Sequence, residues 1–407
     1  MEKAPLSLAH GRHYLAIPGP SVMPDRVLQA MHRAAPNIYT GELPELVASL
    51  LPDLKSIAGT QHHVAMYICN GHGAWEASLA NVLSRGDRVL ALATGRFGLG
   101  WADVAKQLGA EVDILDFGRE APVDPTRVMA ALEDDTSHKI KALLVVQVDT
   151  ASSVKNDILS LRQAMDAVGH PALLMVDSIA CLACDAMEMD AWGIDVLITG
   201  SQKGLMTPPG MGFVFFNDKA DAARETASCV TAYWDWRPRV SPEIFYRYFF
   251  GTAPTHLLFG LREALTMLVH EEGMQAVLAR HAALAEVVWA ACDAWSAEGP
   301  LRLNIADPAF RSNAVSSIRI DAPHGKHIQD WLKDNAGVTL GIGLGMDSPE
   351  DPDATGAFRI GHMGHVNAHM VLGLLGTVEA AMQALDVPHG SGALSAAAKV
   401  VAEKTLG

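Results

Sequence analysis

The sequence predicts an α/β fold, a large domain on a mostly parallel sheet of seven strands covered by helices, followed by a smaller C-terminal α+β domain. Three observations carry this reading. Short apolar runs recur at the spacing of βαβ units. Between most of them lie stretches of helical period, such as "WEASLANVLSRG" and "WADVAKQLGA", each ending at a glycine suited to close a helix. After Arg262 the alternation stops and long amphipathic stretches take over. A chain of 407 residues also exceeds what a single core commonly serves.

The apolar runs are, in order, "VAMYICNG" from Val64, "RVLALATG" from Arg88, "EVDILDF" from Glu111, "KALLVVQV" from Lys141, "PALLMVDSIA" from Pro171, "DVLITG" from Asp195 and "MGFVFFN" from Met211. Strands that are apolar almost throughout belong to a sheet buried on both faces. They place the large domain at residues 26–260, behind an N-terminal arm at 1–25. From residue 261 two consecutive helices are expected, broken near Gly273. The strands "NAVSSIRI" and "FRIGHMG" then flank a helical "GKHIQDWLKDNAG", giving a small domain at 261–390. The small-residue-rich segment 391–407 reads as a peripheral helix or tail.

Composition narrows the partners. A net charge of −15 and a pI near 5.5 come without a basic stripe, which argues against nucleic acid and anionic membrane surfaces. The five cysteines, Cys69, Cys181, Cys184, Cys229 and Cys292, are odd in number and scattered, as in a reducing compartment. Cys181 and Cys184 have CxxC spacing, but no second pair follows and no strand–CxxC–helix pattern surrounds them. The N-terminal "MEKAPLSLAH" lacks the apolar core of a signal peptide and no apolar run reaches about 18 residues. A cytoplasmic protein is expected.

Sites in sheets of this kind lie beyond the carboxyl ends of the strands. After the first strand, "CNGHGAWEAS" opens a helix with two glycines ahead of it, either an anion cradle or an ordinary strand–helix turn. It is neither a P-loop nor the dinucleotide fingerprint. After the second, Phe97 stands between glycines in "TGRFGLGW", fit to stack on a planar ring or to pack under its loop. After the fourth comes "VDTASSV", with Asp149, Thr150, Ser152 and Ser153 as hydrogen-bonding groups. Asp177 ends the fifth strand, "LLMVDS". A carboxylate there needs a partner: a metal, a protonated ring nitrogen or a helix N-terminus. Lys203 follows the sixth strand in "DVLITGSQKGLMTPPG". A desolvated lysine has a lowered pKa and can attack a carbonyl to form a Schiff base. A phosphate, a flat ring, a ring nitrogen and an aldehyde together describe pyridoxal 5′-phosphate, whose ring works as an electron sink when an acid keeps its nitrogen protonated.

The segment "HPALLMVDSIACLACDAMEMDAWGIDVLITGSQKGLMTPPGMGFVFF", with "IPGPSVMP", "GHGAWEASLANVLSRGD" and "FRIGHMG", resembles the fold-type I, class V aminotransferases, most of all the serine–glyoxylate and alanine–glyoxylate branch. The resemblance runs in order from about residue 14 to 385. It implies that Lys203 carries the cofactor as a Schiff base and shuttles the proton, that Asp177 binds the ring nitrogen and that Phe97 stacks on the ring. Asn70, Gly71 and His72, with Gln202, match the phosphate cup, and Thr150 the residue near the ring hydroxyl. Thr252 matches a phosphate contact made across a dimer interface, which implies a homodimer with its active sites at that interface. Arg359 matches the arginine that clamps the substrate α-carboxylate, a task suited to a guanidinium fork. Gly19 and Tyr39 fall on the substrate side.

Several positions depart from the family pattern. The phosphate loop has Asn70 and His72 where a serine or threonine is common. Phe250 stands for the cross-subunit tyrosine, Gly100 for an arginine after the stacking aromatic, and Ser153 for a glycine. "IYTG", with Tyr39, replaces a His-Arg pair. The expected reaction is a ping-pong transamination from serine, alanine or aspartate to glyoxylate, then pyruvate. "VDT", "GHMG" and Gly100 favour a pyridoxamine–pyruvate type instead; Phe250 and the altered phosphate loop would suit a non-enzymatic protein that kept the fold. No cysteine precedes Arg359 in the acidic "GLGMDSPEDPDATGAF", which disfavours a desulfurase. Its residues 346–356 read as an insertion placed to lid the site. The histidines of "GHMGHVNAH", His362, His365 and His369, offer a metal alternative that lacks an acidic ligand, and no metal is expected.

Overall fold

The computed structural model describes residues 7–240 and 242–405. Its strands are β1 (Tyr14–Ala16), β2 (His63–Cys69), β3 (Arg88–Ala93), β4 (Glu111–Asp116), β5 (Ile140–Val146), β6 (Leu173–Asp177), β7 (Val196–Gly200), β8 (Gly210–Phe216), β9 (Arg302–Leu303), β10 (Val315–Arg319), β11 (Val338–Ile342) and β12 (Ala357–Gly361). Seven of them form the large sheet in the order β2-β8-β7-β6-β5-β3-β4. All its neighbours run parallel except β8, which is antiparallel to both β2 and β7. The mostly parallel seven-stranded sheet read from the apolar runs is the one observed.

Alternation along each strand sends side chains to two cores. On β5, Leu143 and Val145 enter one and Ala142 and Leu144 the other; on β2, Val64 and Met66 separate from Ala65 and Tyr67 in the same way. A strand buried on both faces needs apolar residues at every position, which is why these segments read as continuous apolar runs. Each fully buried Val or Leu is worth ~1.5–3 kcal/mol.

Strand order decides where a ligand can sit. β3 has β4 on one side and β5 on the other, so the connections leaving the carboxyl ends of β3 and β5 diverge and open a crevice. The turns that carry Phe97, Thr150, Asp177 and Lys203 all leave that end, after β3, β5, β6 and β7.

The second sheet has the order β1-β11-β12-β10-β9. The N-terminal arm is part of it: β1 pairs in parallel with β11, Tyr14 opposite Val338. Neither strand is evident in the sequence, because β1 has only three residues and "VTLGI" carries a glycine and little alternation. Two helices do meet at Gly273, Thr255–Leu265 extended by a π-helical turn over Thr266–Glu272, then Met274–Ser296. The last segment is a helix, Ala393–Thr405, whose Ala393 and Ala397 are buried in the core it shares with Met274–Ser296. Among the described residues no helix is long and apolar enough to cross a membrane.

Candidate active site

A cleft of about 250 Å³ opens at the carboxyl ends of β5, β6 and β7. Asn70, Gly71, His72, Phe97, Thr150, Asp177, Gln202 and Lys203 all line it, together with Trp75 and Ile179. Eight residues singled out from the sequence thus meet in one place, although they come from five separate strand ends.

One wall is the N-terminus of the helix Gly71–Ala80. Asn70 caps it, its side-chain oxygen accepting from the Gly73 N–H at 3.3 Å. The remaining free N–H groups and the positive end of the helix dipole make this wall attractive to an anion. Gln202 Oε1, at the same cleft, is buried without a hydrogen-bond partner. Amide oxygen and nitrogen are placed by their networks alone, so the group can equally present its NH2 to an anion.

Asp177 lies at the last position of β6, 2 % exposed. Its Oδ1 accepts from the Ile179 N–H at 2.7 Å and its Oδ2 from the Trp75 indole at 2.6 Å. Burial pushes the carboxyl up to about 7, against the two donors that hold it down, and nearby Asp149 adds to the rise. Asp149 is itself buried. It accepts from the N–H groups of Phe97 (2.7 Å) and Gly98 (3.2 Å), and so fastens the first turn of the helix Arg96–Gln107 that presents Phe97. Its other oxygen accepts from the Ala151 N–H at 3.0 Å and orders the turn that carries Thr150.

Lys203 is half-buried, and its Nζ donates to the Pro18 carbonyl. Burial brings its pKa down to about 8; the Arg359 charge lowers it further, while Asp177 works in the opposite direction. Gly19 explains how the lysine fits. At φ +105° a Cβ there would stand 2.6 Å from Lys203 Cδ and Cε, so only glycine leaves the side chain its place. Arg359, on β12, is 6 % exposed; it donates from Nε to the Ile342 carbonyl (2.7 Å) and from Nη1 to the Thr150 carbonyl (2.8 Å). Those two bonds hold the guanidinium beside the Thr150 turn, with no salt bridge to it among the described residues and the charge of Asp149 acting on it.

Four residues read as site residues are not among those that line the cleft: Gly19, Tyr39, Thr252 and Arg359. Tyr39 is 78 % exposed, and Thr252 is also exposed, two residues beyond Phe250, whose ring meets Tyr233 edge-on at 6.2 Å. The histidine alternative is not built: His362 is buried between Ser316 Oγ (3.0 Å) and the Asn313 carbonyl (2.9 Å). Among the described residues no group of three His, Cys, Asp or Glu side chains is arranged to hold a metal. Cys181 and Cys184 are free and buried, and burial pushes the Cys184 thiol up to about 12.

Trp75 is the residue the sequence reading missed. It stood in view within "GHGAWEAS", but an aromatic in the first turns of a helix signals packing, and its bond to Asp177 depends on a strand 102 positions away. The same ring accounts for one departure from the family pattern: a Cβ at Gly100 would lie 3.3 Å from two of its ring carbons. Ser153, another departure, keeps a positive φ of +62°, and its Oγ accepts from the Ser317 N–H at 3.1 Å.

The chain belongs to the aminotransferase class-V family, whose model matches residues 69–350. It is 37 % identical to a serine–glyoxylate aminotransferase of Arabidopsis thaliana over 95 % of this chain and 94 % of that protein. It is 34 % identical to an L-aspartate–glyoxylate aminotransferase of Paracoccus denitrificans, over 94 % of each. The crystal structure of a pyridoxamine–pyruvate aminotransferase from Mesorhizobium loti has the same fold, with a TM-score of 0.86 at 23 % identity over 97 % of this chain and 98 % of that one. The protein is an aminotransferase, acting between an amino acid and an oxo acid.

Proposed function

We propose that the chain transfers the amino group of serine, alanine or aspartate to glyoxylate, or with less preference to pyruvate, in two half-reactions through the one cleft, with pyridoxal 5′-phosphate as carrier. The carrying observation is the pairing of Lys203 and Asp177 across one cleft, a partly desolvated amine near pKa 8 and a buried carboxyl near 7. When bound, the cofactor supplies an electron sink and a carbonyl that exchanges amines. The residues present suit it: a helix N-terminus for its phosphate, a buried amide without a partner at Gln202, an aromatic wall at Phe97 and an acid for its ring nitrogen.

Each residue then has a role this chain can perform. Lys203 would hold the aldehyde through Nζ and, when that atom is free, would carry a proton on it. Asp177 holds the proton of the ring nitrogen. Asn70, Gly71, His72 and Gln202 surround the phosphate, Phe97 covers the ring and Thr150 stands by its hydroxyl. Arg359 takes the carboxylate that donor and acceptor both carry next to the reacting carbon, so one arginine serves both half-reactions. Gly19 gives Lys203 room. Thr252 acts on the phosphate from the partner subunit of a homodimer, and Tyr39 belongs to the substrate side. The large domain at 26–260 lines the cleft, while the arm at 1–25 and the small domain at 261–390 contribute Gly19 beside Lys203 and Arg359 beside the Thr150 turn, in a cytoplasmic enzyme. A donor panel tests the substrate assignment. Serine, alanine or aspartate, added without acceptor, should convert the bound cofactor to its amine form, and glyoxylate should restore it. Failure of all three donors, alongside conversion of free pyridoxamine and pyruvate to pyridoxal and alanine, would replace this reading with the pyridoxamine–pyruvate one.

A further inference from the structure

Asp177 reaches the cleft with both oxygens already engaged, and the nearer of the two donors is a side chain with no part in the reaction scheme. The Trp75 indole N–H meets Oδ2 at 2.6 Å, and the ring is 1 % exposed. The ring itself is held on several sides: it stacks on Trp101 (centroids 6.4 Å, 16°), meets Phe97 edge-on (6.2 Å) and touches His72 (4.5 Å). Gly100 leaves it room, since any Cβ there would press on the ring at 3.3 Å.

We propose that Trp75 is a positioning residue for Asp177, its indole N–H keeping the buried carboxyl ionised and turned toward the ring nitrogen of the cofactor. This rests on the reading that pyridoxal 5′-phosphate fills the cleft. An indole nitrogen can only donate, so it can bond a carboxylate lone pair and offers nothing to a protonated oxygen that needs an acceptor. A donor to the charged form lowers an acid's pKa. Here it opposes the desolvation that would otherwise protonate Asp177 and deprive the ring nitrogen of its counter-charge. Because the same indole packs on Phe97 and His72, it also ties the acid to the aromatic wall and to the helix N-terminus.

The test separates hydrogen bond from packing. Apoprotein labelled with 5-fluorotryptophan should show one 19F resonance, absent in Trp75→Phe, that shifts with pH around a midpoint near 7 and stops doing so in Asp177→Asn. Replacing Trp75 by benzothienylalanine keeps the bicyclic outline and removes only the N–H. That protein should bind pyridoxal 5′-phosphate about tenfold more weakly at pH 7, the loss of one charge-assisted hydrogen bond, with the deficit shrinking as the pH rises and Asp177 ionises. A pH-independent Trp75 resonance, or unchanged cofactor affinity beside a normal wild type, overturns the inference. Wild-type protein that binds no pyridoxal phosphate overturns the proposed function and the cofactor half of this inference, while the 19F titration still decides the Trp75–Asp177 pairing.

Discussion

Replacing Lys203 with alanine is expected to abolish turnover, lowering kcat by at least about four orders of magnitude while leaving the fold intact. The size follows from the two tasks placed on one nitrogen. A general acid–base group alone contributes roughly 10²–10⁴-fold, and this one is also the point of covalent attachment. The fold survives because the side chain makes a single hydrogen bond, to the Pro18 carbonyl, and its removal leaves space beside Gly19 rather than a clash. The wild-type amine has a pH signature. Its folded pKa is lowered to about 8, and only the neutral form attacks a carbonyl. The rate at which apoprotein takes up pyridoxal 5′-phosphate should therefore rise about tenfold per pH unit below 8 and level off above it, whereas an ordinary lysine would keep rising toward about 10.4. Stopped-flow absorbance measures both the rate and its loss in the alanine variant.

Arg359→Lys should lower kcat/KM for donor and acceptor alike by about 100- to 1,000-fold, mostly through KM, with the spectrum of the bound cofactor unchanged. A lysine keeps the charge but not the fork, and it cannot hold the Ile342 and Thr150 carbonyls while also bonding a carboxylate with two parallel N–H groups. The desolvation that lowers the guanidinium pKa to about 10 indicates a site where a carboxylate partner would be welcome. Parallel losses for both substrates mark a shared carboxylate site. A loss confined to one of them would show that the second substrate is held elsewhere.

The large sheet was legible because burial on both faces forces an unbroken apolar pattern, as in "LLMVD" and "VLITG". The same patterning fixed the strand ends, and with them the places where Phe97, Asp177 and Lys203 had to be. The small sheet was less legible for an opposite physical reason: β1 and β11 are short and gain their definition from each other, one from the arm and one from beyond residue 337. Pairing across that much chain leaves no local mark. Trp75 and Asp149 show the same limit within the site. Each is defined by what it bonds, an indole to a carboxylate on β6 and a carboxylate to the first turn of the next helix, and neither bond has a spacing to read. Thr252 marks the other boundary, since a residue expected to act across a dimer interface has no reason to face its own chain's cleft.

The most direct test of the account is to treat the protein, loaded with pyridoxal 5′-phosphate, with borohydride and map the peptide that retains the reduced pyridoxyl group. The account predicts one modified position, Lys203, in the peptide around "GSQKGLMTPPG", with no label there after a prior excess of amino donor has converted the cofactor. A pyridoxyl group on another lysine, or none on any, would contradict it.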